Sequence, residues 1–250
     1  MNKKIGFIIQ ARTGSTRLPN KMLIPFYEDK TILTIILKRL KTSFQSIPII
    51  VATTTEEKDS EIVKMVESEN VVCFRGSEND VLQRFIDAAD NSGLDAVVRI
   101  CADNPFLSMK KIKELLEYSS KSDSDYISFT KRDGTPSIKT HYGFWAEYVT
   151  VSTLKRVAAL TSEKLYHEHV TNYVYSNPKV FKIDFLPIDD YIEESQIRLT
   201  VDTQEDFFVA KEIYNQLMNN KFDVEPENII PLVSDKFKDI MQIQIDKNSK

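Results

Sequence analysis

The chain has 250 residues, long enough for one large α/β domain or two small ones, and its 42% hydrophobic and 28% charged content is that of an ordinary globular protein. A net charge of −4 argues against general nucleic-acid binding, and no stretch approaches the ~20 apolar residues of a membrane span. Cys73 and Cys101 lie in apolar, β-like runs without zinc or disulfide spacing and read as small buried hydrophobes, and the apolar stretch after Lys3 and Lys4 is too short for a signal-peptide core, so a reducing, cytoplasmic setting is expected.

In chain order, residues 4–10, 48–53, 71–74 and 96–101 are short, β-branched and almost continuously apolar, as strands buried on both faces of a parallel sheet are. Between and after them, 31–41, 58–69, 78–91 and 108–120 carry helical periodicity; in the first, Ile32, Ile36 and Leu40 share a face. Four βα units in the first 120 residues imply a doubly wound, mostly parallel α/β sheet with right-handed crossovers. After Tyr118 the rhythm changes. "DYISFT", "THYGFWAEYVT" and "VFKIDFLPI" predict mixed or antiparallel additions to the same sheet, and an arm for dimerisation is one use for them. Residues 197–202 predict a further strand, 204–218 a helix with Phe207, Ala210, Tyr214 and Leu217 stacked, and the tail from Pro226 a helix ending in a frayed "DKNSK". The expectation is a single domain over 1–250: a nucleotide-binding half (1–120), an acceptor-binding and dimerising part (121–200) and C-terminal helices (201–250).

The end of the first strand is chemically unusual. Residues 1–27 hold five cations (Lys3, Lys4, Arg12, Arg17, Lys21) and no acid, so the remainder of the chain carries −4 − 5 = −9. An acidic protein with one concentrated basic loop suggests a small anionic ligand held locally. Ligands of such sheets bind outside the carboxyl ends of the strands, where this loop sits. Neither the dinucleotide G-x-G-x-x-G nor the G-x-x-x-x-G-K-[ST] loop is present, and Gly14 is the loop's one glycine. An anion would therefore be gripped by side chains: the forks of Arg12 and Arg17, the ammonium of Lys21, and the hydroxyls of Thr13, Ser15 and Thr16. The alternative is a solvated basic turn.

"ARTGSTRLPNK" at 11–21 resembles the signature loop of the cytidylyltransferases that make CMP-activated sugar acids, the CMP-Kdo and CMP-sialic acid synthetase superfamily, nearest its spore-coat polysaccharide branch. The branch's other markers follow in order: "VATT" (51–54), "FRGSENDVLQRF" (74–85), "VRICADNPF" (98–106), "YHEHVTNYVYSNP" (166–178) and "RLTVDTQEDF" (198–207). The resemblance implies a nucleotide-diphospho-sugar-transferase (GT-A-like) α/β fold, CTP as one substrate, a sugar acid as acceptor, Mg²⁺ as cofactor and a homodimer. It implies triphosphate binding by Arg12 and Lys21 with help from Arg17, and base and ribose contacts from the backbone of Gln10 and Ala11, from Thr53, and from Ser77 with Arg84. The acceptor site falls in residues 125–175, with Lys139, Glu147 and His169 as its candidates. Departures from the pattern are Gln10 in place of proline, Asn20 in place of the glycine of "LPGK", and Ala102 in place of glycine. None removes a charge, and Asn tolerates positive φ well.

Asp103 and Asp202 each end a predicted strand and project to the same edge as the basic loop. Carboxylates there suit Mg²⁺, which takes one or two protein ligands and completes its shell with water and phosphate oxygens. By itself Asp202 also reads as the start of a helix, because Thr203-x-x-Asp206 resembles a capping box, and Asp103 reads as a turn before a helix. Arg84 alone would pass as an ordinary exposed arginine. His167 and His169 do not form a zinc site, since i and i+2 on a helix lie about 200° apart. Two other functions remain open: a glycosyltransferase using Asp123-Ser124-Asp125 as a D-x-D metal motif, and a non-catalytic nucleotide-binding protein that keeps the pocket.

Overall fold

The structure, a computed structural model, describes residues 3–248. Among these the chain runs β1 (Ile5–Gln10), β2 (Pro25–Tyr27), β3 (Lys30–Thr31), α1 (Ile32–Ser43), β4 (Ile49–Thr54), α2 (Ser60–Ser68), β5 (Val72–Gly76), α3 (Val81–Asn91), β6 (Ala96–Cys101) and α4 (Met109–Ser119). The second half follows with β7 (Tyr126–Thr130), β8 (Glu147–Thr150), α5 (Val151–Leu160), α6 (Lys164–Glu168), α7 (Asn172–Ser176), β9 (Ile183–Pro187), α8 (Asp190–Glu193), α9 (Gln204–Asn219), α10 (Pro226–Lys236) and α11 (Lys238–Asn248). β2 and β3 form a small separate hairpin that the sequence pattern did not predict.

The main sheet has seven strands in the order β5-β4-β1-β6-β8-β7-β9. The pairs β4–β5, β1–β4, β1–β6 and β7–β9 are parallel, and β8 runs against both β6 and β7. This is the mostly parallel α/β sheet with an antiparallel insertion that the sequence predicts. Side chains alternate across it: Phe7, Ile9, Val51, Val98 and Ile100 join one apolar cluster, while Ile8, Ile50, Ala52 and Val97 join the cluster on the other face. Polar caps fix where the helices begin. The side chains of Thr31, Asp80, Ser108, Thr150 and Thr203 each accept from an N–H three residues on, at the starts of α1, α3, α4, α5 and α9.

Strand order reverses between β1 and β6: from β1 the chain moves outward to β4 and β5, then returns beside β1 as β6 and continues the other way. The loops leaving β1 and β6 therefore splay apart and leave a crevice at the carboxyl edge.

Four expectations are corrected. Residues 197–202 form no strand: Leu199 and Thr200 donate to the His141 carbonyl and Val201 to that of Asp103, so the segment is extended but joins no ladder. Of "THYGFWAEYVT" the last four residues alone are strand; the rest follows the Ser137–Lys139 3₁₀ helix as a loop that turns at Gly143, φ 74°. The helix expected over "LYHEHVTNYVYS" breaks at His169, between α6 and α7. The polar end does not fray where expected, since Asp246–Asn248 continue α11, and Ser249 and Lys250 lie outside the described residues.

Candidate active site

At the crevice two adjoining cavities of about 340 Å³ each share Arg99, Cys101, Asp103, His169 and Asp202 in their walls. The first is floored by the loop leaving β1, and Gln10, Ala11, Arg12, Gly14, Ser15, Thr16, Arg17 and Lys21 all line it. That loop is shaped from within. Buried Asp59 accepts from the N–H and hydroxyl of Thr13 at 2.7 and 2.6 Å and also from the Thr54 hydroxyl. Burial would raise the Asp59 carboxyl, but these donors outweigh it and hold the carboxyl below its ordinary range. Thr13 thus turns into the protein and lies outside both cavity walls: it anchors the loop. Asn20 closes the turn at φ 56°, the left-handed conformation expected of a residue standing in for glycine.

Lys21 follows in a 3₁₀ turn, almost wholly buried, with Nζ 2.5 Å from the Val201 carbonyl and 3.4 Å from Asp103 Oδ2. Arg17 spans the cleft to Asp202, Nη2 to Oδ1 at 2.8 Å. The other oxygen of Asp202 accepts from Arg198 at 3.0 Å. Arg198 has no exposed side-chain surface and makes two further bonds, at 2.9 and 3.0 Å, to Asp206. Burial alone would raise the Asp206 carboxyl; the Arg198 contacts and the N–H groups of Thr203 and Asp202 lower it further than burial lifts it. The capping box read in the sequence is real, and it belongs to Thr203 and Asp206. Asp202 lies just before it, with its carboxylate in the cleft.

Three proposed base or ribose contacts lie elsewhere. Thr53 is fully buried on β4 and borders neither cavity. The Ser77 hydroxyl accepts from the Asp80 N–H at 3.0 Å, and its carbonyl accepts from Arg84. Arg84 is fully buried, not the exposed surface arginine that its helix position alone suggests. Gly76 makes room for it: a Cβ there would stand 2.9 Å from Arg84 Cγ. Burial, and next the charge of Arg12, lower its pKa to about 10, and its Nε and Nη2 have no partner among the described residues. Gln10 Oε1 is likewise buried and unpartnered.

The second cavity continues past Asp103 and brings together Lys139, Glu147 and His169. Lys139 Nζ lies 5.1 Å from the centre of the Tyr175 ring. Glu147 is 2% exposed and accepts from Arg99, Tyr126 and Thr171, so its charge is answered inside the protein. The sequence reading missed Arg99, Cys101, His141, Trp145 and Arg198. A signal for the first two was available: in "VVRICAD" Arg99, Cys101 and Asp103 recur every second residue, one face of a strand. Both cysteines are half-buried rather than buried, and burial keeps the Cys101 thiol protonated with a pKa pushed up to about 11. Burial, and after it Arg198, lower the His141 imidazole.

The donor set fits a metal that arrives on phosphate. Asp103 and Asp202 present carboxylate oxygens to one cleft, and among the described residues no group of three or more His, Cys, Asp or Glu side chains is arranged to hold an ion alone. The D-x-D alternative lies elsewhere: Asp123 pairs with Lys182, Asp125 accepts from Thr153 and Arg156, and neither borders either cavity. Among the described residues, no helix is long and apolar enough to cross a membrane.

Comparison with known proteins agrees with this geometry. A sequence profile described as Cytidylyltransferase matches residues 6–240. The chain is 32% identical over 235 residues to the spore coat polysaccharide biosynthesis protein SpsF of Bacillus subtilis, covering 91% of this chain and 93% of that one. It matches a cytidylyltransferase structure from Leptospira borgpetersenii serovar Hardjo-bovis (strain JB197) at TM-score 0.83 and 30% identity, covering 96% of this chain and 97% of that one. It shares its fold with a CMP:2-keto-3-deoxy-manno-octonic acid synthetase solved in complex with CTP, at TM-score 0.66 and 12% identity over 85% of this chain and 99% of that one. The chain belongs to the cytidylyltransferase family and is a nucleotidyltransferase.

Proposed function

We propose that this enzyme transfers CMP from CTP to a sugar acid for polysaccharide biosynthesis. The observation that carries the reading is the junction of the two cavities: a cationic one beside the β1 loop and a mixed polar and aromatic one beyond, meeting at Asp103 and Asp202. The relative complexed with CTP supports the choice of nucleotide, and the spore-coat relative supports the product's destination.

In this mechanism the triphosphate, with close to four negative charges, lies against Arg12, Arg17 and Lys21, which neutralise it so that another oxygen can approach. The acceptor hydroxyl attacks the α-phosphorus, its proton leaves, the bond from that phosphorus to the β-bridging oxygen breaks, and pyrophosphate departs. Asp103 and Asp202 are the residues to hold Mg²⁺, which would supply charge neutralisation at the α-phosphoryl group. Arg99 borders both cavities and Lys139 the second, so the acceptor's carboxylate has a cation available on its own side. Trp145 and Tyr175 offer apolar faces to the ring.

The test incubates the protein with CTP, Mg²⁺ and a panel of sugar acids, measures pyrophosphate and weighs the products. Expected are stoichiometric pyrophosphate and a CMP-sugar with at least one acid, with Asp103→Asn losing turnover but still binding CTP. Transfer from a nucleotide-sugar without pyrophosphate would instead identify a glycosyltransferase, and CTP binding without turnover of any acid would identify a sensor.

A further inference from the structure

Asp202 carries a different cation on each carboxylate oxygen, and the two are held with very different firmness. On Oδ2 sits Arg198, fully buried and locked to Asp206, which also receives the N–H groups of Asp202 and Thr203 at 3.0 Å. That frame cannot turn without breaking several buried, charge-assisted bonds at once. On Oδ1 sits Arg17, whose side chain is 55% exposed and for which this is the one hydrogen bond among the described residues. Arg17 reaches across from the opposite wall of the cleft, 185 positions away in sequence. Lys21 faces Asp103 similarly, but its Nζ is tied down by the Val201 carbonyl at 2.5 Å. Of the two cations that face the carboxylates from the β1 loop side, Arg17 is the one free to leave.

We propose that Arg17 is an exchangeable counter-ion of Asp202, with Arg198 and Asp206 as the positioning residues that hold that carboxylate in place while its partner changes. With Arg17 on Oδ1 and Arg198 on Oδ2, Asp202 is closed to a divalent cation. When metal and nucleotide enter together, Arg17 leaves the carboxylate for the triphosphate and Oδ1 becomes available. The inference rests on reading Asp202 as a metal ligand and the β1 loop as the phosphate site.

Charge supports the order. Lining the nucleotide cavity, Arg12, Arg17, Lys21 and Arg99 stand against Asp103, Glu168 and Asp202, a balance of 4 − 3 = +1. A bare dication meets a net positive cluster, whereas a triphosphate brings a surplus of negative charge that accepts Arg17 directly. The exchange is easy because an ion pair with one half-exposed partner is weak, and because a guanidinium fork fits phosphate as well as carboxylate.

The experiment titrates full-length protein with Mn²⁺ and reads the free ion by electron paramagnetic resonance, without nucleotide and with α,β-methylene-CTP. Wild type should bind Mn²⁺ weakly alone and much more tightly with the analogue. Arg17→Gln, at an exposed position that leaves folding intact, should move two affinities in opposite directions: nucleotide-free Mn²⁺ binding tightens roughly two- to five-fold, and analogue binding weakens roughly ten-fold. Arg198→Lys should lose much of the analogue-dependent gain in Mn²⁺ affinity while binding the analogue normally without metal. If Arg17→Gln leaves nucleotide-free Mn²⁺ binding unchanged or weaker, Arg17 is no counter-ion and the exchange is wrong. If Asp202→Asn keeps tight analogue-dependent Mn²⁺ binding, the metal assignment itself falls, and with it the functional reading of Asp202.

Discussion

His167 shows how a single side chain can be misjudged from its spacing. Read against His169 it invites a metal, and helical geometry argues that away. In the structure its Nδ1 lies 2.8 Å from Asp80 Oδ2 and its Nε2 lies 2.9 Å from the Thr161 carbonyl. Both neighbours are acceptors, so the arrangement suits the protonated ring, in which both nitrogens donate and tie α6 to the start of α3. The Thr161 carbonyl raises its pKa above the ordinary value of about 6.5; burial opposes the rise and Asp80 adds to it. A raised folded-state pKa stabilises the fold fully below about pH 6.5, and the benefit fades as pH climbs through the folded value. His167→Gln should therefore lower the melting temperature clearly at pH 5.5 and little at pH 9; equal losses at both would exclude the charged link. The same scale marks the limit of reading residues from the chain. The cations of the β1 loop, Asp103 and Asp202 were legible because each sits at a strand exit or in a motif. Arg99 and Arg198 were not, because what makes them notable is burial against partners from elsewhere in the fold, and Arg84 was named without its burial.

Elements were more legible than their pairing. Strands expected at 4–10, 48–53, 71–74 and 96–101 end within two residues of those observed, because buried parallel strands and amphipathic helices announce themselves by period alone. The segment 197–202 buries Ile197, Leu199 and Val201, with Arg198 buried among them, yet joins no ladder. Conformation is written locally, whereas a ladder partner is supplied by the rest of the chain. The start of α9 is local chemistry and was readable: Thr203 accepts from the Asp206 N–H at 3.2 Å, and Asp206 answers the Thr203 N–H at 3.0 Å. Removing half of that reciprocal cap by Thr203→Ala should destabilise the protein by about 1 kcal/mol in denaturant unfolding. A loss below a few tenths would mean that Arg198 and Asp206 hold the helix start unaided.

For the whole molecule, the alternation of strand and helix indicated a mostly parallel sheet but not its order, since nothing in the chain says that β6 returns beside β1. That return creates the crevice. The two apolar clusters lie on opposite faces of strands they share, so neither can be lost without exposing the back of the other. We expect one cooperative unfolding transition for the chain. Trp145, the chain's one tryptophan, packs against Phe129, Tyr142 and Phe144 at 5.7–5.9 Å and reports the first cluster. Its fluorescence and far-ultraviolet circular dichroism should give coincident midpoints in urea, and separated midpoints would divide the fold into independent units.

Arg99 and Cys101 share one face of β6, Asp103 follows in the turn just beyond it, and all three stand at the junction of the two cavities, so the strand sets their spacing. Each pair of residues advances it by about 6.6 Å. Lengthening the strand by two residues would keep Arg99 and Cys101 on their face and widen the junction by that step. Lengthening by one would turn the strand over and aim the arginine away from the aspartate. The spacing of the two cavities can thus be altered along this strand in steps of the pleat.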